Sequence, residues 1–330
     1  MMTTTKAGGF LGVLAVLWTL GGCSVSGPRV AVAPERSLPD RLREDVRVLS
    51  EGFAARNANS RATLDGAGRW IAGRLESMGY AVEIEYEDPQ RLERGFNVVA
   101  ELAGDVHPDQ IVLIGAHYDA EVDTPGADDN ASGVAVMLEL ARRFAKQPQA
   151  RTIRWVAFTN EENSNSRGGQ MGSFAHATNA RLRGDQITAM VSLEMLGYYN
   201  DAPDSQRYPF DPSLGAQLGM ELSTTGDFIG VVGRTGDAPL IQQIAGAMSS
   251  VGTIPVVGAP LPAVLPAIWR SDHGSFWIAG YPGVMVTDTS EYRNANYHRP
   301  SDLIGTLDFD RMAGVADAME AAVRAMSSGQ

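Results

Sequence analysis

The chain has 330 residues, and its 27 lysines and arginines against 39 aspartates and glutamates give a formal net charge of −12. Hydrophobic residues make up 44% of the sequence, which is enough for a sizeable buried core. The negative charge and the lack of a basic cluster argue against a nucleic-acid partner. A single cysteine excludes an internal disulfide.

Residues 1–22 have the features of an export signal. Lys6 precedes the apolar run GFLGVLAVLWTLGG, which is shorter than the roughly 20 residues that a membrane-spanning helix needs. The run ends in LGGC at Cys23, a sequence that resembles the lipobox of bacterial lipoproteins. By that resemblance Cys23 would be diacylated and would anchor the protein in the cell envelope, on the periplasmic face or in the outer membrane. The alternative is an ordinary secretory signal.

Residues 23–39 are rich in proline, serine and glycine, which predicts a flexible tether. The remaining segment, 40–330, fits one large α/β domain, or one domain with an insertion. Helices are predicted over 40–53 and 62–78, the second with apolar residues at helical spacing. The runs AVEIEYE, FNVVAELAG and QIVLIGAHYD predict strands, and AVEIEYE alternates as an edge strand does.

The second half alternates in the same way. A helix over 131–146 is followed by the strands RTIRWVAFTN and ITAMVSLEML, with a glycine-rich loop and a helix from near Gly169 between them. The polar segment 198–226 is expected to be a surface insertion near the site. FIGVVG, a helix over 238–251, SDHGSFWIAGYPGVMVTDT and a helix over 308–326 complete the chain. This order predicts a three-layer α/β/α fold with a central mixed, mostly parallel sheet.

The most informative segment is 115–133, GAHYDAEVDTPGADDNASG, which places a histidine and several carboxylates between a strand and a helix. In α/β folds, sites lie beyond the carboxyl ends of the strands. Imidazole and carboxylate groups suit a divalent metal such as zinc. Further candidates follow other strands and would reach the same sheet edge: Glu161-Glu162, Glu194 and His298.

Glu161 and Glu162 form a pair with two different orientations. Neighbouring side chains in an extended segment point to opposite sides, so one can bind a metal while the other faces a bound water. The alternative is a pair of solvated glutamates.

Together, GAHYDA…GADDNASG, FTNEEN, SLEMLGYY, SDHGSFW and YHRPSD resemble the motifs of the co-catalytic zinc exopeptidases. That family includes bacterial secreted leucyl aminopeptidases, glutamate carboxypeptidase II and glutaminyl cyclase. The resemblance covers roughly residues 40–330. It implies a zinc-dependent exopeptidase, specifically an aminopeptidase that hydrolyses peptides with a free N-terminus.

The resemblance also implies a set of metal ligands. His117 and Glu194 would bind one zinc ion, and Glu162 and His298 would bind a second. Asp129 would bridge the two ions, because DDNASG aligns with the family pattern D-[DN]-x-S-G. Many family members have aspartate at the position of Glu194, so we expect two zinc ions but leave one as an alternative.

Other roles follow from the same resemblance. Glu161 would be the general base, and Asp119 would orient the imidazole of His117. Tyr297 would donate a hydrogen bond to the oxyanion. Asp128 would orient the loop without binding metal.

The remaining polar candidates have weaker interpretations. His107 is predicted in a polar turn and His176 on a helix face, and both are interpreted as structural or solvated. His273, Arg270 and Asp272 are placed near the site by analogy, as substrate contacts or supporting residues.

Two other functions remain open at this stage. A cyclase on the same fold would use one zinc ion to cyclise N-terminal glutamine, releasing ammonia without cleaving a peptide. A non-catalytic surface binding module would have lost its ligands. The sequence leaves open the side-chain preference, the choice between amino- and carboxypeptidase, and the oligomeric state.

Overall fold

The computed structural model describes residues 36–86, 95–162, 171–217 and 219–329. The predicted signal peptide, Cys23 and most of the predicted tether therefore lie outside the described residues. Within these ranges, none of the helices combines the length and apolar character needed to cross a membrane.

An eight-stranded sheet forms the centre of the described fold, with the order β1-β2-β4-β3-β5-β8-β6-β7. Its strands are β1 (Val82–Tyr86), β2 (Phe96–Leu102), β3 (His107–His117), β4 (Arg151–Phe158), β5 (Gln186–Glu194), β6 (Ile229–Arg234), β7 (Val256–Leu261) and β8 (Gly283–Thr287). The four central strands β4, β3, β5 and β8 are parallel. β1 pairs antiparallel with β2, β2 with β4 and β6 with β8, so the prediction of a mixed, mostly parallel sheet is confirmed.

Helices cover both faces of the sheet. They are α1 (Leu38–Arg47), α2 (Arg61–Ser77), α3 (Gly133–Phe144), α4 (Gly172–Arg183), α5 (Pro212–Gln217), α6 (Ala238–Val251), α7 (His273–Ile278) and α8 (Phe309–Ser327). Alternate residues of β3 divide between two buried clusters, as expected for a strand covered on both sides. Val112 and Ile114 belong to the cluster with α1, α2, α3, α6 and α8, whereas Ile111 and Leu113 pack with α4 and α7. The three-layer prediction is confirmed.

One strand was not predicted from the sequence. β7 pairs parallel with β6 at the edge of the sheet, although its sequence VVGAPL contains Gly258 and Pro260. Proline lacks an N–H donor, so strands that contain it are confined mainly to edges. β7 is such an edge strand, and its glycine and proline interrupt the apolar run by which a strand is predicted.

Two local predictions need correction or restriction. His107 does not lie in a turn: it opens β3, and its backbone N–H donates to Ala150. The helix expected from near Gly169 begins at Gly172, and the glycine-rich loop lies outside the described residues. The segment 198–226 contains α5 and is closed by backbone pairing of Asn200 with Gly226.

Candidate metal centre

The carboxyl ends of three neighbouring parallel strands bring most of the predicted site residues together. His117 is the last residue of β3, and Glu194 is the last residue of β5, which pairs directly with β3. Glu161 and Glu162 follow β4, on the other side of β3. The sheet therefore delivers the imidazole between two sources of carboxylate.

Asp129 reaches the same place from the turn Ala127–Ser132, between β3 and α3. Gly126 begins this turn with φ of +61°, and a Cβ there would clash with the backbone oxygen of Asp129. The side chain of Asn130 ties the turn to the end of β5, because it donates to Leu193 O at 2.8 Å and accepts from Met195 N at 3.0 Å. The turn is thus fixed relative to Glu194.

The first ligand cluster surrounds Nε2 of His117. This nitrogen lies 3.3 Å from Oδ1 of Asp129 and 3.4 Å from Oε2 of Glu194. Two ligands of one tetrahedral zinc ion, each bound at about 2.0–2.1 Å, are separated by about 3.3–3.4 Å. The three atoms therefore have the spacing of ligands that share an ion.

The second cluster surrounds Nε2 of His298. This nitrogen lies 3.2 Å from Oδ2 of Asp129 and 2.9 Å from Oε2 of Glu162. Asp129 therefore directs one carboxylate oxygen to each cluster, which is the arrangement that a bridging ligand requires.

Asp128 is turned away from both clusters. Its carboxylate accepts hydrogen bonds from Gly197 N at 2.8 Å and from Asn294 Nδ2 at 2.7 Å. The structure agrees with the interpretation that Asp128 orients the loop.

Several buried atoms of these clusters fit a metal ion. In the part of the chain that the structure describes, Nε2 of His117, Oδ1 of Asp129 and Oε1 of Glu162 are buried without a hydrogen-bond partner. Buried polar atoms in native proteins are normally satisfied, and leaving them unsatisfied is costly. Imidazole nitrogen and carboxylate oxygen are ligands that zinc accepts, so the residues present fit zinc.

The electrostatics point the same way. Burial opposes ionisation of Asp129, but the flanking His117 and His298 hold its pKa well below its usual range. Burial also opposes protonation of His298, yet Asp129 and Glu162 raise its pKa to about 10. Burial, together with the charge of Asp129, raises the pKa of Glu162 to about 8. Divalent cations would offset this excess of buried carboxylate.

Asp119 supports two parts of the site at once. Its Oδ1 lies 3.4 Å from Nδ1 of His117, the ring nitrogen opposite the first cluster. The same carboxylate accepts the backbone N–H groups of Glu161 at 3.1 Å and Glu162 at 3.0 Å. It therefore lies beside the imidazole that it is predicted to orient, and it also fixes the glutamate pair to the end of β3.

Three supporting residues were missed from the sequence. Ser271 donates to Oε2 of Glu194 at 2.6 Å. Asp302 accepts from the backbone N–H groups of Asp128 at 2.9 Å and Asp129 at 3.1 Å. Arg56 lies between α1 and α2 in the chain and is fully buried. It donates to four backbone carbonyls of the surrounding segments: Leu49, Tyr118, Pro125 and Gly126. The motifs SDHGSFW and YHRPSD contain Ser271 and Asp302, whereas no motif signals Arg56.

Tyr297 lies beside the second cluster. Its ring stacks on His298 with a centroid separation of 3.8 Å. Arg270 donates to the phenolic oxygen at 2.5 Å and also pairs with Glu291. Burial and the charge of Asp129 raise the pKa of Tyr297, which keeps the hydroxyl protonated and able to donate.

The other candidates are interior residues. His273 is fully buried, bonds Ile268 O at 2.8 Å and packs on Trp277, so the suggested substrate contact is not present. Asp272 is also fully buried, and burial raises its pKa to about 7. His176 is buried 2.7 Å from Glu85, which agrees with its structural interpretation.

A pocket with a mainly apolar wall opens onto the clusters. Asp129, Glu161, Glu162 and Glu194 line its inner end. Its apolar wall comes partly from the 198–226 segment and partly from β6, β7, β8 and residues close to them. The apolar residues are Phe210, Met220, Leu222, Phe228, Val232, Ala259, Leu261, Ile268 and Met285. A hydrophobic group of a ligand would therefore be accommodated next to the clusters.

The sequence is similar to a known peptidase family and to individual proteins. Residues 97–323 match the model of peptidase family M28. The chain is 36% identical over 294 residues to YfbL, an uncharacterized protein of Escherichia coli (strain K12), with 87% of this chain and 88% of that protein covered. It is also 32% identical over 239 residues to a probable zinc metalloprotease of Pyrenophora tritici-repentis (strain Pt-1C-BFP). That match covers 64% of this chain and 52% of the other protein.

A solved structure has the same fold. The LapA aminopeptidase of Legionella pneumophila superposes with a TM-score of 0.69 at 21% identity, covering 88% of this chain and 70% of that one. The fold and the family match define the chain as a peptidase. It belongs to peptidase family M28, and the membership inferred from its motifs is confirmed.

Proposed function

We propose that this protein is a zinc-dependent aminopeptidase that removes an N-terminal residue with a hydrophobic side chain. The observation that carries the proposal is the position of Asp129, whose two carboxylate oxygens face His117 and His298 at 3.3 and 3.2 Å. Glu194 and Glu162 complete the two clusters. Zinc ions held there would polarise the scissile carbonyl and lower the pKa of a water molecule toward about 7.

Glu161 would move the proton in this reaction. It lines the pocket and is not part of either ligand cluster. Burial raises the pKa of Glu161 well above its usual range, partly offset by His117, and a proton carrier is most effective with a pKa near the working pH. Its carboxylate would take a proton from the attacking water as the new C–O bond forms and the carbonyl oxygen becomes an oxyanion. It would then return the proton to the leaving nitrogen as the C–N bond breaks and the carbonyl re-forms.

Tyr297 would stabilise the oxyanion. Because its oxygen accepts from Arg270, its own O–H remains a donor that a developing negative charge can use. The apolar wall of the pocket would take the side chain of the first residue, and carboxylates at its inner end would suit the free ammonium group. These features favour aminopeptidase over carboxypeptidase activity.

The proposal is tested by metal analysis of the purified protein, followed by assay on aminoacyl-anilide substrates with and without chelator. We expect bound zinc and hydrolysis of leucyl- or phenylalanyl-anilide that chelator abolishes and zinc restores. A zinc-loaded protein that instead releases ammonia from N-terminal glutamine would establish the cyclase alternative. A folded protein with neither activity would support the binding-module alternative.

We also propose that the protein is exported and anchored through a lipid on Cys23. The LGGC sequence after an apolar run supports this. Incorporation of labelled palmitate and recovery in the membrane fraction are expected for the wild type, and both should be lost in C23S. Equal fractionation of the two would refute the anchor without affecting the enzymatic proposal.

A further inference from the structure

Glu121 lies in the loop after β3, four residues beyond His117 and two beyond Asp119. Ligand atoms of Glu121, Glu162 and His298 all lie within 4.8 Å of one another. The resemblance to the family motifs gave Glu121 no role. The structure therefore brings an additional carboxylate to the second cluster.

The position of Glu121 is set by its own turn. Its backbone oxygen accepts from Thr124 N at 3.2 Å and from Thr124 Oγ1 at 2.9 Å. Its Oε1 accepts from Val122 N at 2.7 Å, and the preceding Ala120 N donates to Arg56 O at 3.0 Å. Glu121 is half-buried.

A second observation at this cluster fits a bound cation. The side chain of Glu162 is only 6% exposed, and in the described part of the chain its Oε1 is buried with no hydrogen-bond partner. Asp129 and Glu121 bring further carboxylates, with one imidazole, His298, to balance them. Like charges held this close together are unfavourable unless a cation lies between them.

We propose that Glu121 is an additional ligand of the metal ion held by Glu162 and His298. The inference rests on the zinc centre of the proposed function. The second ion would then have four protein ligands, and the first would have three, His117, Asp129 and Glu194. Because a zinc site with four protein ligands is closed whereas one with three keeps an open position, the two ions would not be equivalent.

The test compares zinc binding by the whole wild-type protein, E121Q and D123N. Asp123 is a matched control because it lies in the same loop, carries the same charge and belongs to neither ligand group. Its φ of +64° is one that asparagine adopts readily. Each protein is stripped of metal, checked for folding by circular dichroism, and titrated with zinc against a chromogenic chelator.

We expect E121Q to lose affinity for one of two zinc ions by about tenfold or more, since even residues that only support a ligand change affinity by about 10–100-fold. The other ion should bind as in the wild type, and D123N should match the wild type at both. A titration of E121Q that matches the wild type would overturn the proposal. An equal loss of zinc affinity in D123N would also overturn it, because the effect would then come from the charge of the loop.

A different outcome would assign Glu121 to the substrate. If E121Q binds zinc normally but shows a raised KM for substrates with a free N-terminus, its carboxylate holds the substrate ammonium group and the ligand proposal is wrong. Failure of the proposed function is separate, because it would appear as absent peptidase activity in the zinc-loaded wild type, whereas the zinc titration needs no activity.

Discussion

The carboxylate of Asp302 accepts the backbone N–H of Asp129 at 3.1 Å, and its other oxygen accepts the N–H of Asp128 at 2.9 Å. Asp119 makes the same pair of contacts with Glu161 and Glu162. Each aspartate therefore fixes two successive residues of a loop that carries proposed ligands. The strand ends position the proposed ligands, and the carboxylates of Asp302 and Asp119 hold them further by accepting backbone N–H groups of their loops.

The first prediction concerns Asp302. In D302N one acceptor oxygen becomes an NH₂ group that faces a backbone N–H, so the turn that carries Asp129 should lose its position. We expect zinc affinity to fall by about 10–100-fold, as for other residues that support ligands. Chelator competition measures the change. An unchanged affinity for both ions would show that the turn is held well enough by Asn130.

Much of the site could be predicted from sequence because its residues stand at strand ends. His117, Glu162 and Glu194 each lie at or just after a strand that the apolar pattern predicted, and parallel strands end at one edge. Asp302 and Arg56 could not be predicted in the same way. Most of their partners are backbone groups far away in the chain, 173 residues in the case of Asp129, and such contacts leave no spacing pattern.

The edge of the fold was less predictable for a related reason. β7 and β1 are both edge strands, but β1 alternates apolar and acidic residues whereas β7 contains glycine and proline. The pairing of β7 with β6 comes from tertiary context that no local pattern records.

The second prediction concerns Arg56. Replacing it with methionine would leave the carbonyls of Tyr118, Pro125 and Gly126 buried without their donor. Since one unsatisfied buried group costs about 1–3 kcal/mol, we expect R56M to lower the free energy of unfolding by about 3 kcal/mol or more. Urea unfolding measures this. The exposed Arg69 supplies the control, and a loss in R56M no larger than that in R69M would contradict the role assigned to Arg56.

The third prediction concerns Glu194, where the family commonly has aspartate. Its Oε2 reaches both Ser271 at 2.6 Å and His117 at 3.4 Å, so the surroundings are built for the longer side chain. We expect E194D to bind the first zinc ion about tenfold more weakly than the wild type does. S271A should lose less affinity for the same ion. Zinc titration of both variants is the measurement. Tighter zinc binding by E194D would contradict this, because it would show that the surroundings suit aspartate better than glutamate.

The fourth prediction is a pH dependence away from the metal site. Hydrogen bonds from Arg142, Arg41 and Arg143 outweigh burial and lower the pKa of Glu139 to about 2, from an ordinary value of 4.5. A carboxylate with a lowered pKa in the folded state stabilises it above the unfolded value, and this contribution is lost as the pH falls from 4.5 toward 2. We expect E139Q to be less stable than the wild type at pH 7, and the difference to shrink at pH 3. Urea unfolding at the two pH values measures it; a difference that is constant or grows in acid would contradict the assignment.

The central claim is that the clusters around His117 and His298 bind zinc and that Glu161 moves the proton during peptide hydrolysis. The most direct measurement determines the zinc content and the leucyl-anilide turnover of E161Q beside the wild type. We predict wild-type zinc content with turnover reduced by at least about 10²-fold, in line with the contribution of general acid–base catalysis. Turnover close to that of the wild type in a zinc-loaded E161Q protein would contradict the claim.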